Sequence, residues 1–364
     1  MKPFPSVTFL VHGGPNSIES IRARGLARRL PPETTRYCFR GTSRSATVSA
    51  WRHEIERHRP GLLYVLNTAL PGAILAPWWS IARGQRYVLD TGDAVYEMAR
   101  QSGIGAGSKL PLLWFFERLA HRHASAVIVR GTRHRELLLG RGLRRVEVIR
   151  DGFAEQTGAT PEAVEALRRR LDLTDRFVVG VMGSTVWSPR LKICYGWDLL
   201  EALAKLRDLP VTGLLIGDGD GLPWLRHRAA ELAVTDRLVF TGRIPYPEVP
   251  TYLRLMDVAL STQTNNLPGQ VRTTGKLPEY MAAERFILAS RVGEAALVLP
   301  ELMLLDFAGE VDSSYPLRLE ERVRLLHGRR ELLELRRSLP GLARQLCDYD
   351  GLSLKFAELV RQLG

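Results

Sequence analysis

Thr273, Thr274, Gly275, Lys276 and Glu279 fall within seven residues of the stretch RTTGKLPEYMAAERFILAS, which runs from Arg272 to Ser290. Two hydroxyls, a glycine that permits close approach and a lysine at a helix start suit phosphate. The first N–H groups of a helix lack intrahelical partners and point at an anion placed there. A glutamate in the same turn cannot hold phosphate, but it accepts hydrogen bonds from sugar hydroxyls such as a ribose diol. One turn can therefore grip a nucleoside diphosphate. A surface Lys–Glu pair at i,i+3, contributing roughly 0.2–0.5 kcal/mol, is the competing reading. The residues of this turn alone leave both open.

What must position this turn is an alternation of short apolar runs with longer helical patterns. VTFLVHGG, GLLYVLN, RYVLDTGD, ASAVIVRG and VEVIRDGF read as strands, with IESIRARGLARRL and LPLLWFFERLAHRHA as helices among them. ATPEAVEALRRRLDLTD reads as a polar helical connector, with Thr160 as N-cap and Pro161 at the first helical position. The pattern restarts with RFVVGVMGS, GWDLLEALAKLRD, VTGLLIGDGDG, LPWLRHRAAELAV, RLVFTGRI, DVALST and RFILAS. From about Arg318 the chain is helical and charged. Such βαβα alternation predicts parallel sheets with helices on both faces. The fold class is α/β: two tandem Rossmann-like, doubly wound domains facing across a cleft, with a helical C-terminal tail. The predicted domains are 1–160 and 161–345, followed by a helix at 346–364 that crosses back towards the first.

The chain has 364 residues, 45% hydrophobic and 25% charged, which suits two globular domains and excludes a disordered chain. Cys38, Cys194 and Cys347 lie far apart with no CxxC, which argues against a disulfide framework or a zinc site and fits a reducing cytoplasm. The N-terminus lacks a signal-peptide pattern. No window reaches the ~18 apolar residues of a membrane span. The expected location is therefore cytoplasmic, with peripheral contact at the inner face of a membrane as an extension. Residues 1–170 carry 27 Lys+Arg against 14 Asp+Glu, and residues 171–364 carry 24 against 25. A basic half suits anionic ligands, an anionic membrane or nucleic acid. Only six of the 51 cations are lysine, so a compositional taste for arginine explains the excess equally well.

Ligands of open parallel sheets bind at the carboxyl ends of the strands. The residues that follow the strands include Gly13 and Gly14, Asp90 and Asp93, Gly183-Ser184-Thr185, Gly217 to Gly221, Arg243, and Ser261 to Asn266. GDGDG is not a dinucleotide fingerprint, because Leu222 stands where GxGxxG needs its third glycine. Asp218 and Asp220 could attract a divalent cation. A tight turn of positive-φ residues is the preferred reading, since no other acidic cluster lies near it. His121 and His123 are too close to share one helical face and read as charge at a helix C-terminus. No HExxH, GxSxG or P-loop pattern is present.

In these motifs the sequence resembles the glycosyltransferases of GT-B fold, in particular the retaining family 4. GKLPEYMAAERFILAS is similar to that family's G-K-L-x-E-Y-M-A-x-G-x-P-x-I-A-T element, LLIGDGDG to its V-G-D-G-P turn, and RLVFTGRIPYPEVPTYLRLMDVALST to its F-x-G-x-V-P…A-D-V run. VEVIRDGF resembles the V-x-V-I-x-N-G-V-D that ends the first domain, and FLVHGGPNS the glycine-rich first loop. The resemblance implies that Glu279 binds the ribose, that Thr273, Thr274 and Lys276 approach the diphosphate, and that Arg243 and Ile244 face the base. Gly13 and Gly14 would form the acceptor-domain loop.

The sequence departs from the family in places. An E-x7-E pattern needs glutamate at 271, where Val271 stands, which leaves Asn265, Asn266 and Gln270 as donor-sugar contacts. Tyr195 stands where lysine is usual, and Arg190 and Lys192 are the nearest cations for the diphosphate. Asp90 and Asp93 occupy the neighbourhood of a histidine often found in the family, and they are the catalytic candidates, orienting acceptor or donor sugar.

The implied activity is metal-independent, cofactor-free hexosyl transfer with retention from a nucleotide-diphosphate sugar, UDP favoured over GDP. The acceptor would be a glycan or a lipid-linked glycan, in surface polysaccharide or glycoconjugate synthesis. Nucleic acid is not an expected partner, and no metal site is. LPLLWFFERLAHRH and APWWSIARGQR suit either a membrane interface or a core. A nucleotide-sugar epimerase on the same fold and a non-catalytic nucleotide-sugar-binding subunit are the alternatives.

Overall fold

The computed structural model describes residues 3–68, 71–102 and 109–364. Contacts divide the chain into two units. Unit 1 comprises Met1–Gly152, Gln270–Thr273 and Cys347–Gly364, and unit 2 comprises Phe153–Gly269 and Thr274–Leu346. Each is an open, fully parallel six-stranded sheet carrying helices, as the alternation predicts.

In unit 1 the strands are β1 (Val7–Leu10), β2 (Thr35–Cys38), β3 (Leu62–Leu66), β4 (Tyr87–Thr91), β5 (Ala126–Val129) and β6 (Val146–Val148), in the order β2-β1-β3-β4-β5-β6. Both faces of the sheet are apolar, and the two-residue period of a strand distributes them. Phe9, Leu62, Tyr64, Leu66 and Val88 enter one core, whereas Leu10, Leu63, Val65, Tyr87 and Leu89 enter the other. The first core is closed by the helix Tyr349–Leu363, which packs Leu352, Phe356 and Val360 against it. The Phe356 ring meets the Tyr64 ring edge-on at 5.3 Å. Tyr349 is wedged between two glycines: a Cβ on Gly25 or Gly152 would stand 2.2 or 2.3 Å from its ring.

In unit 2 the strands are β7 (Phe177–Met182), β8 (Val211–Ile216), β9 (Leu238–Gly242), β10 (Val258–Ser261), β11 (Phe286–Ser290) and the two-residue β12 (Leu304–Leu305), in the order β12-β11-β10-β7-β8-β9. The helix Pro161–Arg170 starts as read, with the Thr160 side chain accepting from Ala163 N. In both sheets the chain grows one way and then the other. The reversal falls between β1 and β3 in unit 1 and between β10 and β7 in unit 2, and at such points the loops part and leave a crevice. Among the described residues, no helix is long and apolar enough to cross a membrane, and no cysteine forms a disulfide.

Unit 1 holds a buried ionic cluster. Arg22, fully enclosed, donates from Nε to Asp90 Oδ2 at 2.8 Å, and to the carbonyls of Ile149 and Arg150 at 2.8 and 2.6 Å. Its Nη1 also reaches Asp151 at 3.2 Å. Tyr64 donates its hydroxyl to the same Asp90 oxygen. Removing one partner of such a cluster strands a buried charge. Arg22→Met is therefore expected to lower the unfolding free energy by about 3–5 kcal/mol in urea titrations. An unchanged midpoint and slope would show that the cluster is not a constraint on the fold.

Candidate functional site

In unit 2 the loops after β7 and β8 run back to back, and this explains GDGDG. Thr185 N donates to Asp218 O at 2.9 Å and Gly221 N to Thr185 O at 2.7 Å. A Cβ on Gly217 or Gly219 would stand 2.1 Å from Gly183 O or 2.6 Å from Thr185 O, and both residues have positive φ. Asp220 Oδ1 accepts from Trp187 N at 2.8 Å, so this carboxylate ties the loop down. Among the described residues, no group of three or more His, Cys, Asp or Glu side chains is placed to hold a metal ion.

The opening turn lies at the reversal between β7 and β10. Its helix is short, Lys276–Ala282, with Leu277 N bonded to Thr274 O. Lys276 sends its ammonium back to 3.5 Å above the centroid of the Tyr195 ring. The same ammonium lies beside Gly183, where a Cβ would be only 3.2 Å from Nζ. Tyr195 donates its hydroxyl to Leu260 O in β10 at 2.7 Å, and Tyr280 accepts from Met182 N at the end of β7 at 2.7 Å. Thr274 Oγ1 is 3.5 Å from Ser261 Oγ, and Thr273 is buried. A cation, two hydroxyls and a bare glycine backbone thus meet at the carboxyl ends of two central strands.

Glu279 is buried one helical turn away. Ala154 N donates to both its oxygens, at 3.2 and 3.1 Å, and Tyr246 donates its hydroxyl to Oε1 at 2.8 Å. Lys276 and Glu279 are not an isolated surface pair, since each has its own partners. Arg243 is exposed and Ile244 half-buried just after Gly242 at the end of β9.

The remaining donor-side candidates stand in a neighbouring loop system. Arg190 and Lys192 lie in the loop closed by the Ser188–Ile193 bridge, and Lys192 has a left-handed backbone at φ 54°. Arg190 donates to Glu310 Oε2 at 2.7 Å. Asn266 Nδ2 reaches the other oxygen of Glu310 at 3.4 Å, while its Oδ1 accepts from Gly269 N at 2.9 Å. Asn265 donates to Phe307 O at 3.0 Å. Both asparagines shape the loop that leads to Gln270, and Gln270 itself is half-buried.

In unit 1, Gly13 and Gly14 follow β1. A Cβ on Gly13 would stand 2.1 Å from Ser17 Oγ, whereas nothing lies within 4 Å of one on Gly14. Asp90 is wholly enclosed in the Arg22 cluster, so its carboxylate is spent on packing the strand ends together. Asp93, three residues on, is half-buried and lies in the loop tied by Thr91 Oγ1, which donates to Asp93 O at 2.8 Å. The helix Val95–Ser102 begins two residues later, and the buried Glu117 carboxylate accepts from Tyr96 N at 2.7 Å. Burial pushes that carboxyl up to about 7. His121 is buried too, which drives its imidazole down to about 3, so it is neutral rather than the helix-end charge read from the sequence.

Sequence reasoning missed Tyr246, Ala154, Glu117 and Glu310. Tyr246 sits in the RIPYPE run beside Arg243, so its neighbourhood was readable. The others carry no local signal.

Residues 176–304, the span from β7 into β12, match the family described as "Glycosyl transferases group 1". A 2-deoxystreptamine glucosyltransferase of Streptomyces kanamyceticus is 31% identical over 192 residues, which are 50% of this chain and 47% of that protein. A GDP-mannose-dependent alpha-(1-6)-phosphatidylinositol monomannoside mannosyltransferase of Mycolicibacterium smegmatis is 38% identical over 101 residues, 27% of this chain and 25% of that one. The alignments thus span about half and a quarter of the length of these curated relatives. Among solved structures, Anabaena Alr3699/HepE in complex with UDP-glucose superposes with a TM-score of 0.78 at 17% identity, over 98% of this chain and 100% of that one. That likeness shows the fold, GT-B.

The Glu117 environment generates a pH dependence. Its folded pKa of about 7 lies above the ordinary 4.5, so the folded state binds the proton more tightly than the unfolded chain. The associated stability is full below pH 4.5 and is lost as pH rises through about 7. The loss is on the order of 3 kcal/mol. Glu117→Gln is expected to raise the melting temperature at pH 8 and to leave it nearly unchanged at pH 4.5. Equal shifts at both values would contradict this assignment.

Proposed function

We propose, for a chain of GT-B fold whose residues 176–304 belong to the group 1 glycosyltransferases, that it moves a hexosyl group from a nucleoside-diphosphate sugar to a glycan or lipid-linked acceptor, with retention at the anomeric carbon. The observation that carries this reading is the single turn that holds Lys276 over Tyr195 and beside Gly183, with Glu279 anchored three residues later. A diphosphate seated against Gly183 meets the ammonium and the Thr274 hydroxyl. From there a ribose diol reaches Glu279, where it competes with the Tyr246 hydroxyl. Arg243 and Ile244 then flank the base. UDP is favoured over GDP, in line with the UDP-glucose complex of the HepE fold relative, although the mannosyltransferase relative uses GDP-mannose.

The chemistry asks for stabilisation of charge on the leaving group. The bond from the anomeric carbon to the phosphate oxygen breaks while the acceptor oxygen bonds to the same face of that carbon. The acceptor proton passes to the departing phosphate oxygen. Lys276, with Arg190 and Lys192 on the neighbouring loop, neutralises the diphosphate as negative charge develops there, an electrostatic contribution of the kind that dominates such transfers. Asn265, Asn266 and Gln270 contact the donor sugar in place of the glutamate absent at 271. Of the two aspartates, Asp93 is the one placed to orient an acceptor hydroxyl: it is half-buried, with its Oδ1 3.2 Å from Arg272 Nε, whereas Asp90 is enclosed and committed to Arg22.

A membrane-borne acceptor is supported by unit 1. Trp78 and Ile81 of the helix Gly72–Arg83, and Leu112, Trp114 and Phe115 of the helix Lys109–His123, are exposed. These two helices contain one acid, Glu117, and it is buried, whereas Arg83, Lys109, Arg118 and Arg122 are exposed. Aromatic rings with basic flanks suit an anionic bilayer surface. Co-sedimentation with phosphatidylglycerol vesicles should fall several-fold for the Trp114→Ser, Phe115→Ser variant. Sedimentation independent of both substitutions would remove the membrane from the account.

The test of function is incubation with radiolabelled UDP-glucose and other UDP- and GDP-sugars together with lipid and glycan acceptors. Transfer supports the proposal. Epimerisation, or binding without turnover, overturns it in favour of an epimerase or a non-catalytic binding subunit. Glu279→Ala should weaken UDP binding by ~10–100-fold, the scale of a lost hydrogen bond to a charged group. Unchanged binding of both UDP and GDP would place the nucleotide elsewhere.

A further inference from the structure

We propose that Tyr195 is a positioning residue for Lys276: its ring is the platform that aims the ammonium at the diphosphate, and the inference rests on the nucleotide-site reading above. A lysine side chain has four rotatable bonds and a compact charge, and by itself it spreads that charge over many rotamers. Here three features of unit 2 limit it. The ring centroid lies 3.5 Å from Nζ, so the negative π face attracts the cation directly. The bare Cα of Gly183 borders the ammonium at the edge of the ring, where a Cβ would be 3.2 Å from Nζ and 3.6 Å from Tyr195 Cδ1. The ring itself cannot swing, because its hydroxyl is bonded to Leu260 O at 2.7 Å. Gly196, immediately after Tyr195, has φ 102°, a backbone that presents the tyrosine at the end of its loop and then starts the helix Trp197–Leu203.

The consequence is a division of labour. An aromatic ring cannot itself bind phosphate, yet an ammonium held against it is already stripped of part of its water and is fixed next to a backbone that a diphosphate can approach. The interaction matters most when the leaving diphosphate gains charge, so loss of the ring should lower kcat as well as weaken binding.

The experiment is UDP binding by calorimetry on the full chain, with kcat and KM for whichever donor is turned over. Tyr195→Leu should weaken UDP binding by ~10-fold, in the range of a desolvated cation–π contact. Tyr195→Phe should lose less than Tyr195→Leu, about threefold, because the ring persists while its anchor to Leu260 O is lost. Pentafluorophenylalanine placed at position 195 keeps the ring's shape but reverses its electrostatics, and it should behave like the leucine variant. In a Lys276→Ala background none of these changes should cost further affinity, since the ring acts only through the lysine. Phe and pentafluorophenylalanine binding alike, or losses that add in the Lys276→Ala background, would overturn the inference while leaving the nucleotide site standing. Lys276→Ala binding UDP like wild type would overturn both.

Discussion

A lysine ammonium resting on a tyrosine ring, beside a glycine that leaves it room, is the contact around which the candidate site in unit 2 is arranged. Each member comes from a different element. Gly183 follows β7, Tyr195 closes the next loop and is tied to β10, and Lys276 starts the short helix Lys276–Ala282. The three converge only because the sheet reverses direction between β7 and β10, so that two central strands deliver their carboxyl ends to one place. The back-to-back loops at Gly183–Thr185 and Gly217–Gly221 keep that place rigid. Gly217, Gly219 and Gly221 are dictated by loop-to-loop contact at under 3 Å, with no need to invoke a ligand for them.

Unit 1 shows the opposite use of charge. Arg22 and Asp90 are removed from water and locked to carbonyls and to Tyr64, which fixes the carboxyl ends of the strands around them. Burying such a pair brings little net stability, whereas breaking it is expensive, so its main effect is to specify one arrangement. That arrangement leaves Gly14 open and Asp93 on a tied loop whose following helix is held by Glu117. Two carboxylates three residues apart therefore differ in role: Asp90 is enclosed in the Arg22 cluster, and Asp93 is half-buried and paired with Arg272.

The strands of both sheets were largely legible because buried parallel strands are continuous apolar runs, and the Thr160–Pro161 helix start was legible because its cap is local. β2, with the sequence TRYC, has no apolar run and was not legible, and β12 is two residues long. The turn from Thr273 to Glu279 was legible as chemistry, since hydroxyls, lysine and glutamate are concentrated there. What holds it was not. Tyr246 and Ala154 reach Glu279 from 33 and 125 residues away, and Arg22 reaches Asp90 across 68. Local spacing has no access to such partners. His121 illustrates the same limit: it sits at a helix end as read, but burial within unit 1 keeps it uncharged.

The central claim is that a nucleoside diphosphate binds unit 2 at the ends of β7, β9 and β10. Hydrogen–deuterium exchange on the full chain with and without saturating UDP tests it most directly. The account predicts slowed exchange confined to the backbone around Gly183 to Tyr195, Gly242 to Tyr246 and Thr274 to Glu279. Protection that misses all three segments, or no protection at a UDP concentration at which calorimetry shows binding, would contradict it.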